Sequence, residues 1–173
     1  MKKIINFTIL SALLFLTSCN DGSKEIESLN GKVSSLNSEL STLKGKQLTI
    51  ENNKKIVKNF YQEFFGDINF EASDKYIGDV YIQHNPAVAD GRQALVDAAK
   101  VWFKNALKRK INFNNVIAQD DLVFVHITET DNDGTRHSTM DVFRVTNGKI
   151  SEHWDAFANF TKDDKSKNNN PLF

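Results

Sequence analysis

The sequence lacks several features that would indicate a particular fold or function. It has one cysteine, Cys19, so it cannot form a disulfide within itself. Its 22 basic and 22 acidic residues cancel, so no net field favours a nucleic-acid partner. Two prolines against 13 phenylalanines in 173 residues favour a well-filled apolar core over a disordered chain. The length suits one compact domain with little to spare.

The longest apolar stretch is also short. Residues 4–16 follow the basic start MKK, have the length of a signal-peptide core and are too few to span a bilayer as a helix. The stretch ends in LTSC (16–19), which resembles a bacterial lipobox. The resemblance implies that residues 1–18 are a lipoprotein signal peptide and that lipidated Cys19 anchors the chain in the cell envelope, outside the cytoplasm. The alternative is a free core thiol.

Residues 19–50 carry a heptad pattern between this anchor and the rest of the chain. Apolar residues recur at alternating spacings of three and four, at Ile26, Leu29, Val33, Leu36, Leu40 and Leu43. Such a seam predicts a coiled-coil stalk, and its β-branched and Leu positions favour a parallel homodimer, with a trimer as the alternative. Gly31 and Gly45 weaken the helix by about 1 kcal/mol each relative to Ala. The other reading is an amphipathic helix packed on its own domain.

Residues 51–160 change from helical to strand periodicity. Apolar spacing predicts helices at 52–66, near 69–78 and at 90–107, the last capped by Asp90. Alternating patterns separated by turn residues predict strands at 80–85, 110–119, 121–130, 135–145 and 149–157. This order predicts an α+β domain, in which a curved antiparallel sheet wraps on about three helices as a cone with an open mouth. The polar tail, residues 161–173, is expected to be disordered.

Charged residues occupy the last predicted hairpin, DVFRVTNGKISEHWDAF (141–157). A two-residue Asn-Gly turn would place Asp141 beside Trp154, whereas a three-residue turn ending at Gly148 would place it opposite His153. The second register would create an acid–base pair on one face. Both registers stay open at this point, as does the alternative that the charges face solvent.

Other chemistry has little support in the sequence. His126 lies in LVFVHITE, where both faces are apolar, so it is either a core residue or a pocket residue. No two histidines have metal-ligand spacing, and no phosphate-binding loop or nucleophile elbow occurs, so we expect neither a metal nor another cofactor. The basic run 108–110 is better explained as a solvated helix end than as a nucleic-acid site.

Three segments together are similar to one family. YIQHNPAVADGRQAL (81–95), DLVFVHIT (121–128) and the hairpin 141–157 resemble the SnoaL-like polyketide cyclase family of the nuclear transport factor 2-like superfamily. The resemblance covers roughly residues 52–160 and implies a cone-shaped fold with a pocket lined by the sheet. It also implies a cofactor-free aldol condensation, in which a carboxylate removes a proton next to a carbonyl.

Site residues follow from the matched positions. The resemblance implies Asp141 as the base, His126 or His153 as its partner, and Asp155 as the competing base. It implies a polar pocket wall of His84 and Asn85. The base also needs an apolar wall that raises its pKa, which Phe124, Phe143 and Trp154 could supply if the register allows. We therefore expect an enzyme acting on a small apolar or carbonyl-containing ligand. A non-catalytic binding module and a domain that drives dimerisation through its outer sheet face are the alternatives.

Overall fold

The computed structural model of the chain contains two compact units, Met1–Lys46 and Gln47–Phe173. It describes the backbone of residues 5–131, 134–161, 163–164, 166–168 and 170, and side chains from residue 22 onward. The tail predicted to be disordered lies partly outside these residues, and in the described part it has no helix or strand.

Helix α1 (Ile5–Phe60) supplies all the regular structure described in the first unit. The heptad positions between residues 26 and 43 fall within it, and each of their apolar side chains is about half exposed or more. The helix is therefore present as predicted, whereas the predicted coiled-coil partner stays a prediction. Within the described residues, no helix is long and apolar enough to cross a membrane.

The second unit begins with the end of α1, which continues as a π-helical segment, Tyr61–Gly66. Two further helices follow, α2 (Ala72–Tyr76) and α3 (Arg92–Trp102). The predicted cap of α3 is wrong, because Gly91 takes the N-cap position and the Asp90 carboxylate accepts the Gln83 backbone N–H at 2.7 Å instead. The helix also stops five residues earlier than the predicted end at residue 107.

Five strands form one sheet in the order β1-β5-β4-β3-β2. They are β1 (Ile77–Gln83), β2 (Phe113–Gln119), β3 (Leu122–Thr130), β4 (Arg136–Thr146) and β5 (Lys149–Phe160). Strands β2 to β5 are the predicted antiparallel meander. Strand β1 departs from it, because it pairs parallel with β5 at the edge of the sheet.

The hairpin between β4 and β5 has a two-residue turn and a β-bulge. Asn147 and Gly148 have φ angles of 52° and 75°, as a type I′ turn requires. Val145 pairs with Ile150, but the register then shifts, so that Arg144 pairs with Glu152 and Ser151 is the additional residue. The observed register therefore matches neither prediction. The two-residue turn is present, but because of the bulge Asp141 pairs with Asp155 and not with Trp154.

The helices cover one face of the sheet, which becomes the inner face. Phe60 and Phe64 from the α1 region are fully buried and stack with centroids 5.1 Å apart. Opposite them, β3 contributes Val123 and Val125, each 0% exposed. Buried aromatic side chains of this size contribute about 1.5–3 kcal/mol each through burial alone. Polar groups on the inner face consequently lie in an apolar environment.

Candidate active site

A cavity of about 210 Å³ opens on the inner face, between the sheet, the π-helical segment after α1, and α3. Its acid–base end contains Tyr61, Gln83, Asn85, Asp141, His153 and Asp155. Its other walls are largely apolar and include Phe65, Leu95, Trp102, Phe103 and Ile127. A small number of polar groups converging in an apolar concavity is the usual form of a small-molecule site.

The bulge described above brings the hairpin's charged residues to this cavity. With Ser151 as the extra residue, Asp141 pairs directly with Asp155, and Phe143 pairs with His153. All four side chains therefore share the inner face, and Asp141 reaches His153 diagonally, with 3.0 Å between Oδ1 and Nε2. The Asp141–His153 pair that the sequence allowed is therefore formed, but through a bulged register and not through a three-residue turn.

Asp141 is a buried carboxylate with both oxygens engaged. It is 4% exposed; Oδ1 lies against His153, and Oδ2 accepts the Tyr61 hydroxyl at 2.8 Å. Burial, and then the nearby Asp141 charge, raise the pKa of Tyr61 well above its usual range. The hydroxyl therefore stays protonated and donates to the carboxylate at any physiological pH.

His153 carries a proton on the side remote from Asp141. Its Nδ1 lies 3.0 Å from Gln83 Oε1, which also accepts the Asn85 backbone N–H and is thereby identified as the amide oxygen. Nδ1 must be the donor in this bond. A neutral imidazole with its proton on Nδ1 has none on Nε2, so the hydrogen bond between Nε2 and Asp141 requires a second proton. This proton lies either on Nε2, which gives imidazolium and carboxylate, or on Asp141, which gives imidazole and carboxylic acid. The pair thus stores one proton inside the cavity.

Asp155 differs from Asp141 in access. Its Oδ2 accepts the Asn85 side-chain N–H at 2.7 Å, whereas its Oδ1 has no hydrogen-bond partner among the described residues. Asp155 is half-buried and lines the cavity directly. Of the two carboxylates, it is the one with an oxygen available to a ligand or to water.

Arg109 and Glu129 form the polar part of the opposite wall. The guanidinium donates through Nε and Nη2 to both carboxylate oxygens, at 2.5 and 2.9 Å. This bidentate pair cancels its own charge. The cavity therefore offers no unpaired cation, within the described residues, for an anionic ligand.

Two β3 residues expected in the site lie on the outer face of the sheet. His126 pairs with Met140 in the strand register and forms a 3.0 Å contact with the Ser138 hydroxyl, whereas its neighbour Val125 pairs with Asp141. His126 therefore points away from Asp141, and its prediction as a catalytic partner is wrong. The same alternation places Phe124 on the outer face, so its prediction as a pocket wall is also wrong.

His84 and Trp154 form a separate pair on that outer face. Their rings stack with centroids 4.6 Å apart and 4° between planes, and His84 Nε2 lies 2.9 Å from Glu152. Their prediction as pocket residues is wrong, because the bulge turns Trp154 outward. Phe143 does not line the cavity either; it is 1% exposed and stacks beneath His153 at 4.6 Å.

Most residues of the cavity were not predicted as site residues, and three of the polar ones show why. Tyr61 falls in an apolar helical pattern, where a tyrosine is most simply a core residue. Gln83 is adjacent to His84 in a strand, so alternation would have allowed only one of the two to face inward. Arg109 belongs to the basic run 108–110 and gave no signal of a partner 20 residues away.

The cluster of Asp141, His153 and Asp155 offers three metal-ligating atoms within 4.8 Å of one another. The Nε2–Oδ1 separation of 3.0 Å fits an ordinary hydrogen bond, and the carboxylates have Tyr61 and Asn85 as partners. These residues could approach a divalent cation only by giving up part of this network. A larger depression, about 490 Å³ and lined in part by Asn52, Asn59 and Lys75, contains no comparable acid–base cluster.

Comparison with known proteins identifies the family of the chain. The family model described as SnoaL-like domain matches residues 57–153, more than half of the chain, and the chain belongs to that family. No curated protein matches it.

Solved structures share the fold at low identity. A proposed polyketide cyclase from Acidithiobacillus ferrooxidans is 18% identical with a TM-score of 0.52, over 61% of this chain and 87% of its own. TsrD from Streptomyces laurentii is 16% identical with a TM-score of 0.52, over 62% and 88%. An LEH-like epoxide hydrolase of M. tuberculosis is 15% identical with a TM-score of 0.51, over 64% of this chain and 85% of its own. The mixed α+β fold with a curved five-stranded sheet is thus the predicted one.

Proposed function

We propose that the second unit is a cofactor-independent acid–base enzyme that removes a proton next to the carbonyl of a small, uncharged compound, in a reaction of aldol-condensation, cyclase or isomerase type. The observation that carries the proposal is Asp155, whose Oδ1 is without a partner among the described residues and lies in an apolar cavity beside the Asp141–His153 pair. The small volume and the paired Arg109–Glu129 charges favour a small neutral substrate.

Each side chain has a distinct role in this reaction. Asp155 takes the proton, the Cα–H bond breaks, and its electron pair moves into the carbonyl to form an enolate. The Asn85 amide has a second N–H that can donate to the enolate oxygen. The His153–Asp141 pair supplies the stored proton to the product and regains one from Asp155 as the site resets. Asp141, first inferred as the base, becomes the group that holds His153.

Deuterium exchange tests the reaction without knowledge of the natural substrate. The full chain in D₂O should catalyse α-deuteration of small neutral ketones, measured by NMR. Adding a small epoxide tests the alternative chemistry named for the M. tuberculosis structure. The second candidate, a binding module, is favoured by the mostly apolar walls. It predicts that ligands raise the melting temperature while no exchange or hydrolysis is detected.

We also propose that the chain is anchored in the bacterial envelope through Cys19. The lipobox-like sequence LTSC and the basic, then apolar, N-terminus support this. Cys19→Ser should move the protein from the membrane pellet to the soluble fraction, because a diacyl anchor is lost. Ser18→Ala, which keeps the cysteine and a small neighbour, is the control and should stay in the pellet. Continued pelleting of Cys19→Ser would refute the anchor.

Self-association of the stalk is the third part of the proposal. The exposed seam on α1 would be buried between two copies in a parallel homodimer. In the Cys19→Ser chain, Leu36→Asp with Leu40→Asp should convert the dimer to monomer in analytical ultracentrifugation. Ser34→Asp with Ser41→Asp adds the same charge away from the seam and should leave the dimer intact. A monomeric parent chain would rule out the stalk dimer.

A further inference from the structure

We propose that residues 100–110 form a docking surface for an anionic lipid bilayer. This segment, KVWFKNALKRK, includes the last turn of α3 and the loop that follows it. It contains no acidic residue and five of the chain's 22 basic ones: Lys100, Lys104, Lys108, Arg109 and Lys110. A chain without net charge thus concentrates positive charge in one short surface segment.

The positive charge of the segment is largely uncompensated. The four lysines are exposed, and none of them forms an ion pair among the described residues. Arg109 adds no net charge to the segment, because Glu129 neutralises it. Four free ammonium groups within eleven residues attract anionic headgroups, and the attraction weakens with added salt.

Apolar side chains project between these lysines. Val101 is 74% exposed, Trp102 51% and Leu107 82%. One such residue alone would be unremarkable on a soluble surface, but three within seven residues give the lysine-rich segment an unusual amount of exposed apolar area. Tryptophan and leucine interleaved with lysine are typical of segments that lie in a membrane interface, with the rings at headgroup depth and the ammonium groups among phosphates.

An anionic bilayer fits this surface better than another polyanion does. A nucleic acid or an acidic protein would match the lysines, but Val101 and Leu107 would stay in water or lack an apolar partner. A bilayer matches both features, since it has negative headgroups above an acyl region that removes apolar side chains from water. Trp102 and Phe103 also line the cavity, so a docked segment would place one cavity wall against lipid. The docking proposal does not depend on the proposed reaction.

Trp102 fluorescence tests the docking. The experiment uses the full chain carrying Trp154→Phe, so that Trp102 is the remaining tryptophan. The vesicles contain brominated phosphatidylcholine with about one-third phosphatidylglycerol, or none, because anionic lipid supplies the attraction. We expect quenching and a blue shift with phosphatidylglycerol, and neither on phosphatidylcholine alone. A lipid anchor elsewhere in the chain would tether the protein to both vesicles without quenching Trp102.

Charge reversal supplies the matched comparison. Lys104→Glu, Lys108→Glu and Lys110→Glu together should reduce the quenching roughly tenfold or more, since each lost lysine weakens the attraction. The control makes the same charge change on exposed α1 lysines, with Lys32→Glu, Lys44→Glu and Lys46→Glu. It should leave quenching unchanged.

Leu107→Asp provides a second variant that cannot fail through misfolding of the core, because the side chain is 82% exposed. It should also lose quenching. Absence of quenching in the parent chain on anionic vesicles overturns the proposal, as does equal loss in the α1 control. Binding to heparin without lipid quenching of Trp102 would overturn it in favour of a polyanionic partner.

Discussion

Asp155→Asn is expected to lower the rate of α-proton exchange by roughly 10²–10⁴-fold, the usual contribution of a positioned general base. The amide keeps the shape of the side chain and an oxygen for the Asn85 N–H, but it cannot accept a proton from carbon. Substrate binding should change little, so the loss should appear in kcat and in single-turnover rates. Deuterium incorporation followed by NMR measures both.

Two further variants show whether this loss is specific. Asp79→Asn removes one exposed carboxylate from β1 and should leave exchange unchanged. Asp141→Asn should have a mixed effect, because it weakens the hold on His153 and disturbs the Tyr61 hydrogen bond in a buried place. Full activity in Asp155→Asn together with its loss in a folded Asp141→Asn would return the base to Asp141.

Phe143→Ala should reduce the free energy of unfolding by about 3–5 kcal/mol, as expected for a fully buried phenylalanine replaced by alanine. The ring contacts Phe60 and Tyr61 edge-on, at centroid separations of 6.0 and 6.2 Å, and supports His153 from below. Its removal leaves a cavity that the surrounding aromatic rings cannot fill. Urea denaturation followed by tryptophan fluorescence gives the change in midpoint.

Phe157→Ala is the matched control for this loss of stability. Phe157 belongs to the same hairpin but is 67% exposed, so its replacement should change stability by no more than about 0.5 kcal/mol. Phe143→Leu fills more of the cavity and should cost less than Phe143→Ala. Equal destabilisation by Phe143→Ala and Phe157→Ala would mean that Phe143 does not support the core as its burial indicates.

The sequence predicted the elements of the second unit well, because their apolar periods are strong. The α3 stripe and the four meander strands are local patterns, and a local pattern is sufficient to recognise them. Ends were less accurate: Asp90 has a capping side chain, but it is used by the Gln83 backbone N–H from a neighbouring strand. That bond depends on tertiary contact and has no trace in local sequence.

The sequence allowed the acid–base residues of the site to be named, but it did not allow their arrangement in space to be predicted. Asp141, His153 and Asp155 could be named because they occupy positions matched by the family resemblance, and alternation along β5 places His153 and Asp155 on one face. His126 and Trp154 could not be separated from them, since the inner face was unknown until the register was fixed. Tyr61 could not be identified at all, because its hydroxyl meets Asp141 across 80 residues of chain.

The bulge, in which Ser151 is the additional residue, determines which side chains of β5 face the cavity. Without it, the same two-residue turn would rotate the distal part of β5 by one position and present Trp154 to the interior. Regular pairing of the same residues would therefore turn His153 and Asp155 out of the cavity while Asp141 stays on the inner face, with every charged residue still encoded.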